Sequence, residues 1–239
     1  MPKTKFEDIH DDLLHRVISE AFAGNMLPTE AQLIEDYSCS RNTVRRAIDQ
    51  LAREGYVQSI HGRGVVILDR LQTPADVELD IRDFAGARSI SHTRAHQTQT
   101  RVLTFNKVEI DRELARVTSF PPGSEAYYLE RLRILDSHPW VLDINYFKCD
   151  IVRGLTIETA EQSIYRYVEN DLGHKVIASR RILAIQKAAK RDKQLLELNG
   201  CNCVGTIRNN AFIDTGVMFE YTETRYSPEH LAFAQFISR

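Results

Sequence analysis

The chain has 239 residues, 43% of them hydrophobic and 27% charged, with a formal net charge of −2. Those are globular proportions, enough to bury a core in two ordinary domains or one large one, and they exclude a disordered chain or a polycation that coats nucleic acid along its whole length. There is no run of eighteen apolar residues, and the N-terminus MPKTKFEDIHDD lacks the apolar stretch of a secretory leader, so a cytoplasmic protein without a membrane span is expected.

Taken in chain order, Phe6, Ile9, Leu13, Val17 and Ala21 form one apolar stripe and predict a helix over residues 6–23, stopped at Gly24. A short second helix follows Thr29, an N-cap whose capping box is completed by Gln32. Ser40 caps a third, in which Val44, Ala47, Ile48 and Leu51 are spaced i, i+3, i+4, i+7 before Gly55. The period then changes. Tyr56–Ile60 and Val65–Leu68 are β-prone and bracket the turn His61-Gly62-Arg63-Gly64. Three helices and a tight hairpin predict a winged helix-turn-helix over roughly Leu27 to Leu68.

Residues 70–82 read as a linker, with Pro74 and mixed charge, between a DNA-binding domain at 1–69 and a second domain at 83–239. The second domain has an α+β pattern. Strands are predicted over 127–135 and 140–148 around Asp136-Ser137-His138-Pro139, an amphipathic helix over 158–172, a strand over 176–186, a short helix over 191–198, and paired strands over 204–213 and 217–226. Cys39, Cys149, Cys201 and Cys203 are too few and too oddly spaced for a disulfide framework. Cys201 and Cys203 have no second pair or nearby His, so neither a metal nor a cofactor is expected.

The third helix must turn its apolar stripe inward. Arg45 and Arg46 then face out and Arg41 lies at the edge of the stripe, all in the half of a recognition helix that enters the major groove. Arginine there forks onto guanine or clamps phosphate. Thr29, Ser40 and Thr43 offer short hydroxyls at helix N-termini. At the hairpin tip, Gly62 permits close backbone approach, and His61 and Arg63 suit a narrow minor groove. Residues 38–68 hold five arginines against Asp49 and Glu54, whereas residues 1–70 hold nine basic and eleven acidic side chains. The attraction to double-stranded DNA is therefore local.

In the second domain, Arg131 and Arg133 point to one face of a strand. Two guanidiniums on one face repel unless an anion bridges them, and a phosphate is a natural bridge. Asp143 lies in the next strand, Glu220 and Tyr226 share a face of a late strand, and Ser163 and Tyr165 lie on the amphipathic helix. Carboxylates and tyrosines suit sugar hydroxyls, though Tyr165 alone reads better as core. No nucleophile–base pair supports an enzyme.

The stretch LPTEAQLIEDYSCSRNTVRRAIDQLAREGYVQSIHGRGVVI resembles the GntR family of bacterial repressors, whose signature is Leu-Pro-x-Glu, Ser-Arg-x-Thr-Val-Arg, Leu-x-x-Glu-Gly and a Gly-x-Gly wing. The resemblance implies DNA contacts at Arg41, Thr43, Arg45 and Gly62, with His61 and Arg63 beside them. Ala31 stands where the family commonly has Arg, and Arg46 is the candidate to take over that role. The second half is similar to the HutC-type branch, which carries a UTRA domain on a chorismate-lyase-like fold of mixed or antiparallel sheet.

That similarity implies a phosphosugar site. Phosphate is held by Arg131, Arg133 and a backbone loop near Asp83 and Phe84. The sugar is held by an acid twelve positions after the first arginine (Asp143), by Ser163 and Tyr165, and by Glu220 and Tyr226. Within the branch, the stretches VLDINYFKCDIVRGLTIETAEQSIYRYVENDLG and DTGVMFEYTETRY are similar to regulators of trehalose use, which implies trehalose-6-phosphate as inducer. An amino sugar phosphate, urocanate or a phosphonate-related compound is the alternative, and an enzyme on the chorismate-lyase-like fold is the more distant one. The family further implies a homodimer on a palindromic operator, released when ligand shifts a two-state equilibrium through the linker.

Overall fold

The computed structural model describes residues 4–69, 77–80 and 98–234. They fall into two compact units, one within residues 1–73 and the other within residues 74–234.

The N-terminal unit has three helices, α1 (Lys5–Ile18), α2 (Glu30–Tyr37) and α3 (Arg41–Arg53), and an antiparallel hairpin, β1 (Val57–Ile60) and β2 (Gly64–Ile67). The capping box at Thr29 forms: Thr29 Oγ1 accepts the Gln32 N–H at 3.3 Å and the Thr29 N–H donates to Gln32 Oε1 at 2.9 Å. Ile9, Leu13 and Val17 of α1, Leu33 of α2, and Val44, Ala47, Ile48 and Leu51 of α3 make one buried core with Leu27 and Val57.

The first helix ends earlier than its apolar stripe predicts. Ser19 Oγ donates to the His15 carbonyl at 2.8 Å and Glu20 takes φ 54°, so the chain leaves the helix and Ala21 is exposed. The residues released reach the wing, where the Leu27 N–H donates to the Val65 carbonyl at 2.9 Å and the Ile67 N–H to the Asn25 carbonyl at 2.7 Å. Gly64 is required there. Its φ is +108°, and a Cβ would come within 2.9 Å of Met26 Cε.

The second unit is built on a six-stranded antiparallel sheet in the order β4-β5-β6-β9-β8-β7. Its strands are β4 (Thr98–Glu109), β5 (Glu125–Leu135), β6 (His138–Lys148), β7 (Val176–Lys187), β8 (Cys203–Ile213) and β9 (Met218–Tyr226). One face carries α4 (Arg112–Thr118) and α7 (Lys190–Leu195), docked through Leu114, Ala115 and Leu195. The other carries α5 (Ile157–Glu161), α6 (Ile164–Arg166) and the turn that follows it, where Ala160, Ile164 and Val168 pack on Leu129, Phe147 and Phe219.

Several expectations are corrected. The single helix over 158–172 is three pieces. Gln162 leaves helical geometry at φ −93° and ψ −125°, Ser163 re-caps the chain as α6, and Tyr167–Asp171 closes as a π-helical turn. Strand β4 and helix α4 are additions that the sequence pattern does not signal. Of the stretch read as linker, β3 (Val77–Asp80) is a strand paired in parallel with β10 (Leu231–Ala234). Phe84 and the loop around it lie outside the described residues. Among the described residues, no helix is long and apolar enough to cross a membrane.

Candidate DNA-reading face and candidate effector site

Helix α3 presents Arg41, Arg45 and Arg46 to solvent, while Val44, Ala47, Ile48 and Leu51 are buried. Its N-terminus is capped by Ser40, whose Oγ accepts the Thr43 N–H at 3.2 Å and lies 2.8 Å from Thr43 Oγ1. Glu30, in the first turn of α2, reaches across to the arginines. Its carboxylate accepts Arg45 Nε–H at 2.9 Å and lies 3.7 Å from Arg41 Nε. Arg46 is used differently. Its guanidinium stacks 4.1 Å above the ring of Phe6 on α1, a cation–π interaction that ties it to its own domain. The arginine expected to stand in for one at position 31 is therefore engaged within the protein. At the wing, the Arg63 N–H closes the turn on the Ile60 carbonyl at 3.0 Å, Gly62 holds φ +76°, and His61, Gly62 and Arg63 are all exposed.

In the second unit the hairpin between β5 and β6 turns in two residues. Asp136 at φ 47° and Ser137 at φ 74° are its central positions, with Leu135 opposite His138. A register shift between Arg133 and Ile134, which leaves Trp140 without a partner on β5, then places Arg131 opposite Asp143, while β9 sets Asp143 opposite Thr224 and Asn145 opposite Thr222. Alternation then puts Arg131, Arg133, Asp143, Asn145, Glu220, Thr222, Thr224 and Tyr226 on the face covered by α5 and α6.

These side chains form one connected network. Arg133 Nε–H donates to Asp143 Oδ2 at 2.6 Å, and Arg131 lies 3.5 Å from the same oxygen. Arg131 Nε–H donates to Asn145 Oδ1 at 2.8 Å, and its Nη1 donates to the carbonyl of Ala160 on α5 at 3.3 Å. Thr224 donates to Asp143 at 2.8 Å, and Asn145 Nδ2 donates to Thr222 at 2.7 Å. Both Thr222 and Tyr165 donate to the carboxylate of Glu220 at 2.5 Å. An internal anion, Asp143, lies between the two arginines here.

Burial sets the protonation chemistry. It pushes Arg131 down to about 10, helped by the like charge of Arg133 and opposed by Asp143. Burial alone would raise Asp143, but Arg133, Arg131 and the Thr224 hydroxyl outweigh it and hold the carboxyl below its ordinary range. Glu220 is raised by burial, which its bonds from Thr222 and Tyr165 do not fully offset. Burial and the adjacent Glu220 push the Tyr165 phenol well up, and burial and Asp143 do the same for Tyr226.

Tyr165 thus has its ring against Phe219 and its hydroxyl on Glu220. Ser163 is half-buried and spends its oxygen on the Arg166 N–H at 3.3 Å. Reasoning from sequence does not reach Asn145, Thr222, Thr224 or the Ala160 carbonyl. The signal is present all the same: Asp143-x-Asn145 and Glu220-x-Thr222-x-Thr224-x-Tyr226 place polar groups at alternate positions, where an ordinary covered strand would be apolar. The four cysteines are free thiols, all half-buried. Among the described residues no three His, Cys, Asp or Glu side chains cluster as metal ligands.

Residues 5–67 match the model of the bacterial regulatory proteins of the gntR family, and residues 93–232 match the UTRA domain. The chain is similar to the HTH-type transcriptional regulator TreR of Bacillus subtilis, at 28% identity over all of this chain and 99% of that protein. It is 25% identical to the regulator GmuR of the same organism over 93% of each chain. Among solved structures, the possible transcriptional regulator YydK of Bacillus subtilis superposes with a TM-score of 0.80 over 99% of this chain and all of that one, at 18% identity. The effector-binding domain of the Bacillus subtilis trehalose repressor superposes with a TM-score of 0.54 over 59% of this chain and 98% of that one, at 27% identity. The two matches together with the full-length similarity to TreR show that the chain belongs to the GntR family of bacterial transcription regulators, in the HutC-type branch that carries a UTRA domain.

Proposed function

We propose that the chain represses a trehalose-utilisation operon as a homodimer on palindromic DNA and that trehalose-6-phosphate releases it. Full-length similarity to TreR supports the sugar. The observation that carries the phosphate is the state of Arg133. Its Nε–H is fixed by Asp143, its side chain is 28% exposed, and among the described residues its terminal NH2 groups have no hydrogen-bond partner. A guanidinium held at one nitrogen and open at two is a fork set for phosphate. Arg131 behind it adds charge. Asp143, Ser163, Tyr165, Glu220 and Tyr226 supply the acceptors and donors a polyol needs, and Phe84 belongs to the loop assigned to the phosphate.

On the DNA side, Arg41, Arg45 and Arg63 are the readers, Thr29, Ser40, Thr43, His61 and Gly62 fix phosphate and backbone approach, and Arg46 supports α3 from behind. The dimer is supported by the sheet edge. Strand β7 is an edge strand that exposes Ile177, Ile182, Leu183 and Ile185, the last at 78%. A long apolar edge demands a cover, and a second copy supplies one. The functional division is a DNA-binding domain at 1–69 and an effector domain at 83–239. Ligand releases the operator only if it binds the DNA-incompetent arrangement more tightly.

The test is a thermal-shift panel of trehalose-6-phosphate, glucose-6-phosphate, glucosamine-6-phosphate, urocanate and free trehalose, paired with anisotropy on a palindrome selected from random DNA. Trehalose-6-phosphate raises the Tm with concentration and releases the DNA. Arg133→Gln loses both responses and keeps DNA binding. A response to urocanate or glucosamine-6-phosphate alone would replace the sugar, and a response that survives Arg133→Gln would remove the phosphate fork.

A further inference from the structure

Asn209 lies on β8 opposite Thr222, on the same face as the arginine network, and is 8% exposed. Its Nδ2 lies 3.3 Å from Tyr165 Oη and 3.4 Å from Glu220 Oε2. A carboxylate only accepts, so this orientation of the amide is the one chemistry favours. It leaves Oδ1 facing the other way. That oxygen is buried and has no hydrogen-bond donor among the described residues.

A buried amide carbonyl without a donor is costly to keep. The neighbours on this face do not share the defect: Arg131 has Asn145, Asn145 has Thr222, Thr222 and Tyr165 have Glu220, and Asp143 has Thr224. Two bonds at the long end of the hydrogen-bond range do not account for an asparagine at such a position. A donor arriving from outside does.

Position fixes which part of a ligand brings it. Arg133 stands on β5 and Asn209 on β8, with β6 and β9 between them. Three inter-strand spacings separate their backbones by about 14 Å before any offset along the strands. A group bound at Arg133 through phosphate must be long to reach Asn209. We propose that Asn209 is a specificity residue, whose Oδ1 accepts a hydrogen bond from a hydroxyl on the sugar unit farther from the phosphate, so that it selects disaccharide phosphates over monosaccharide phosphates. The proposal rests on the phosphosugar reading of the site and adds to it the end opposite Arg133.

The test uses the full chain as wild type, Asn209→Ala and the volume-preserving Asn209→Leu, titrated by calorimetry with trehalose-6-phosphate and with glucose-6-phosphate. Either variant weakens trehalose-6-phosphate about tenfold, as expected for losing a buried hydrogen bond. It leaves glucose-6-phosphate binding unchanged. The unliganded Tm stays within a few degrees of wild type, because the oxygen removed is unpaired and the two bonds lost with Nδ2, at 3.3 and 3.4 Å, are long. Unchanged affinity for trehalose-6-phosphate in both variants overturns the role of Asn209 while leaving the phosphosugar reading intact. Equal losses for both sugars overturn the assignment to the far unit. Failure of both variants to fold makes Asn209 structural and overturns the proposal. A wild type that binds neither sugar phosphate overturns the site reading itself, and this proposal with it.

Discussion

Glu30 accepts the Nε–H of Arg45 at 2.9 Å, so the acid of the second helix holds the central arginine of the third. Arg41 lies 3.7 Å from the same carboxylate. One negative charge therefore restrains two outward-facing arginines and aims one of them. Glu30→Gln keeps the shape and removes the charge. The variant binds random DNA more tightly, and the slope of log affinity against log salt steepens by about one unit, as one more cation becomes available to phosphate. Discrimination between operator and random DNA falls, because Arg45 is no longer oriented. Anisotropy at several salt concentrations measures both, and an unchanged slope would show that Glu30 does not restrain these arginines.

Asp143 is the anion set between Arg131 and Arg133 in the candidate effector site. Removing it leaves Arg131 buried beside Arg133 without the carboxylate that pairs with both, a loss worth about 3 kcal/mol. Asp143→Ala therefore has a lower Tm in phosphate-free buffer. Inorganic phosphate restores it, and raises the Tm of the variant more than that of wild type, since the ion can stand where the carboxylate stood. Equal shifts in the two proteins would mean that Asp143 does not bridge the arginines.

His10 on α1 has its Nε2 2.7 Å from Glu54 at the end of α3 and its Nδ1 3.0 Å from Asp11. The bond to Glu54 is the main cause raising the imidazole above its ordinary 6.5. Burial opposes it and Asp11 adds to it. A raised folded-state value means that the native state holds more protons than the unfolded one above that ordinary value. The stabilisation from this pairing is complete below it and fades as pH rises through the folded-state value. Melting experiments between about pH 6 and pH 8 should show the Tm falling with pH in wild type and falling less in His10→Gln, which has no proton to lose. Parallel slopes would refute the linkage.

Much of this is legible in the residues. Thr29 with Gln32, Ser40 ahead of the Val44–Leu51 stripe, and the glycines of the wing are local signals, and local geometry answers to them. What escapes depends on distant partners. The stretch 158–172 keeps a helical apolar period, yet Gln162 and Ser163 break it, because a short polar side chain can offer the backbone a cap where periodicity alone says continue. Strand β4 lies at a sheet edge and is half-exposed along much of its length, so it lacks a clean alternation. The pairing of Arg131 with Asp143 turns on the hairpin. The residue types over 136–139 suggest a four-residue turn, which would set Ile144 opposite Arg131; the two-residue turn at Asp136-Ser137 alone would set Leu142 there, and only the register shift between Arg133 and Ile134 brings Asp143 into place. Since one residue of slip would send every side chain to the other face, the site cannot be assembled from motif spacing alone.

The fractured covering of the candidate effector site carries a consequence of its own. Ile157–Glu161 is little more than one turn long and Ile164–Arg166 is less than one. Helices of that length have almost no cooperativity with which to hold themselves. Their geometry is borrowed from the sheet beneath, through Ile164 and Val168 in the core and through the hydroxyl of Tyr165 on Glu220. The roof of this site is as rigid as its floor dictates, and no more.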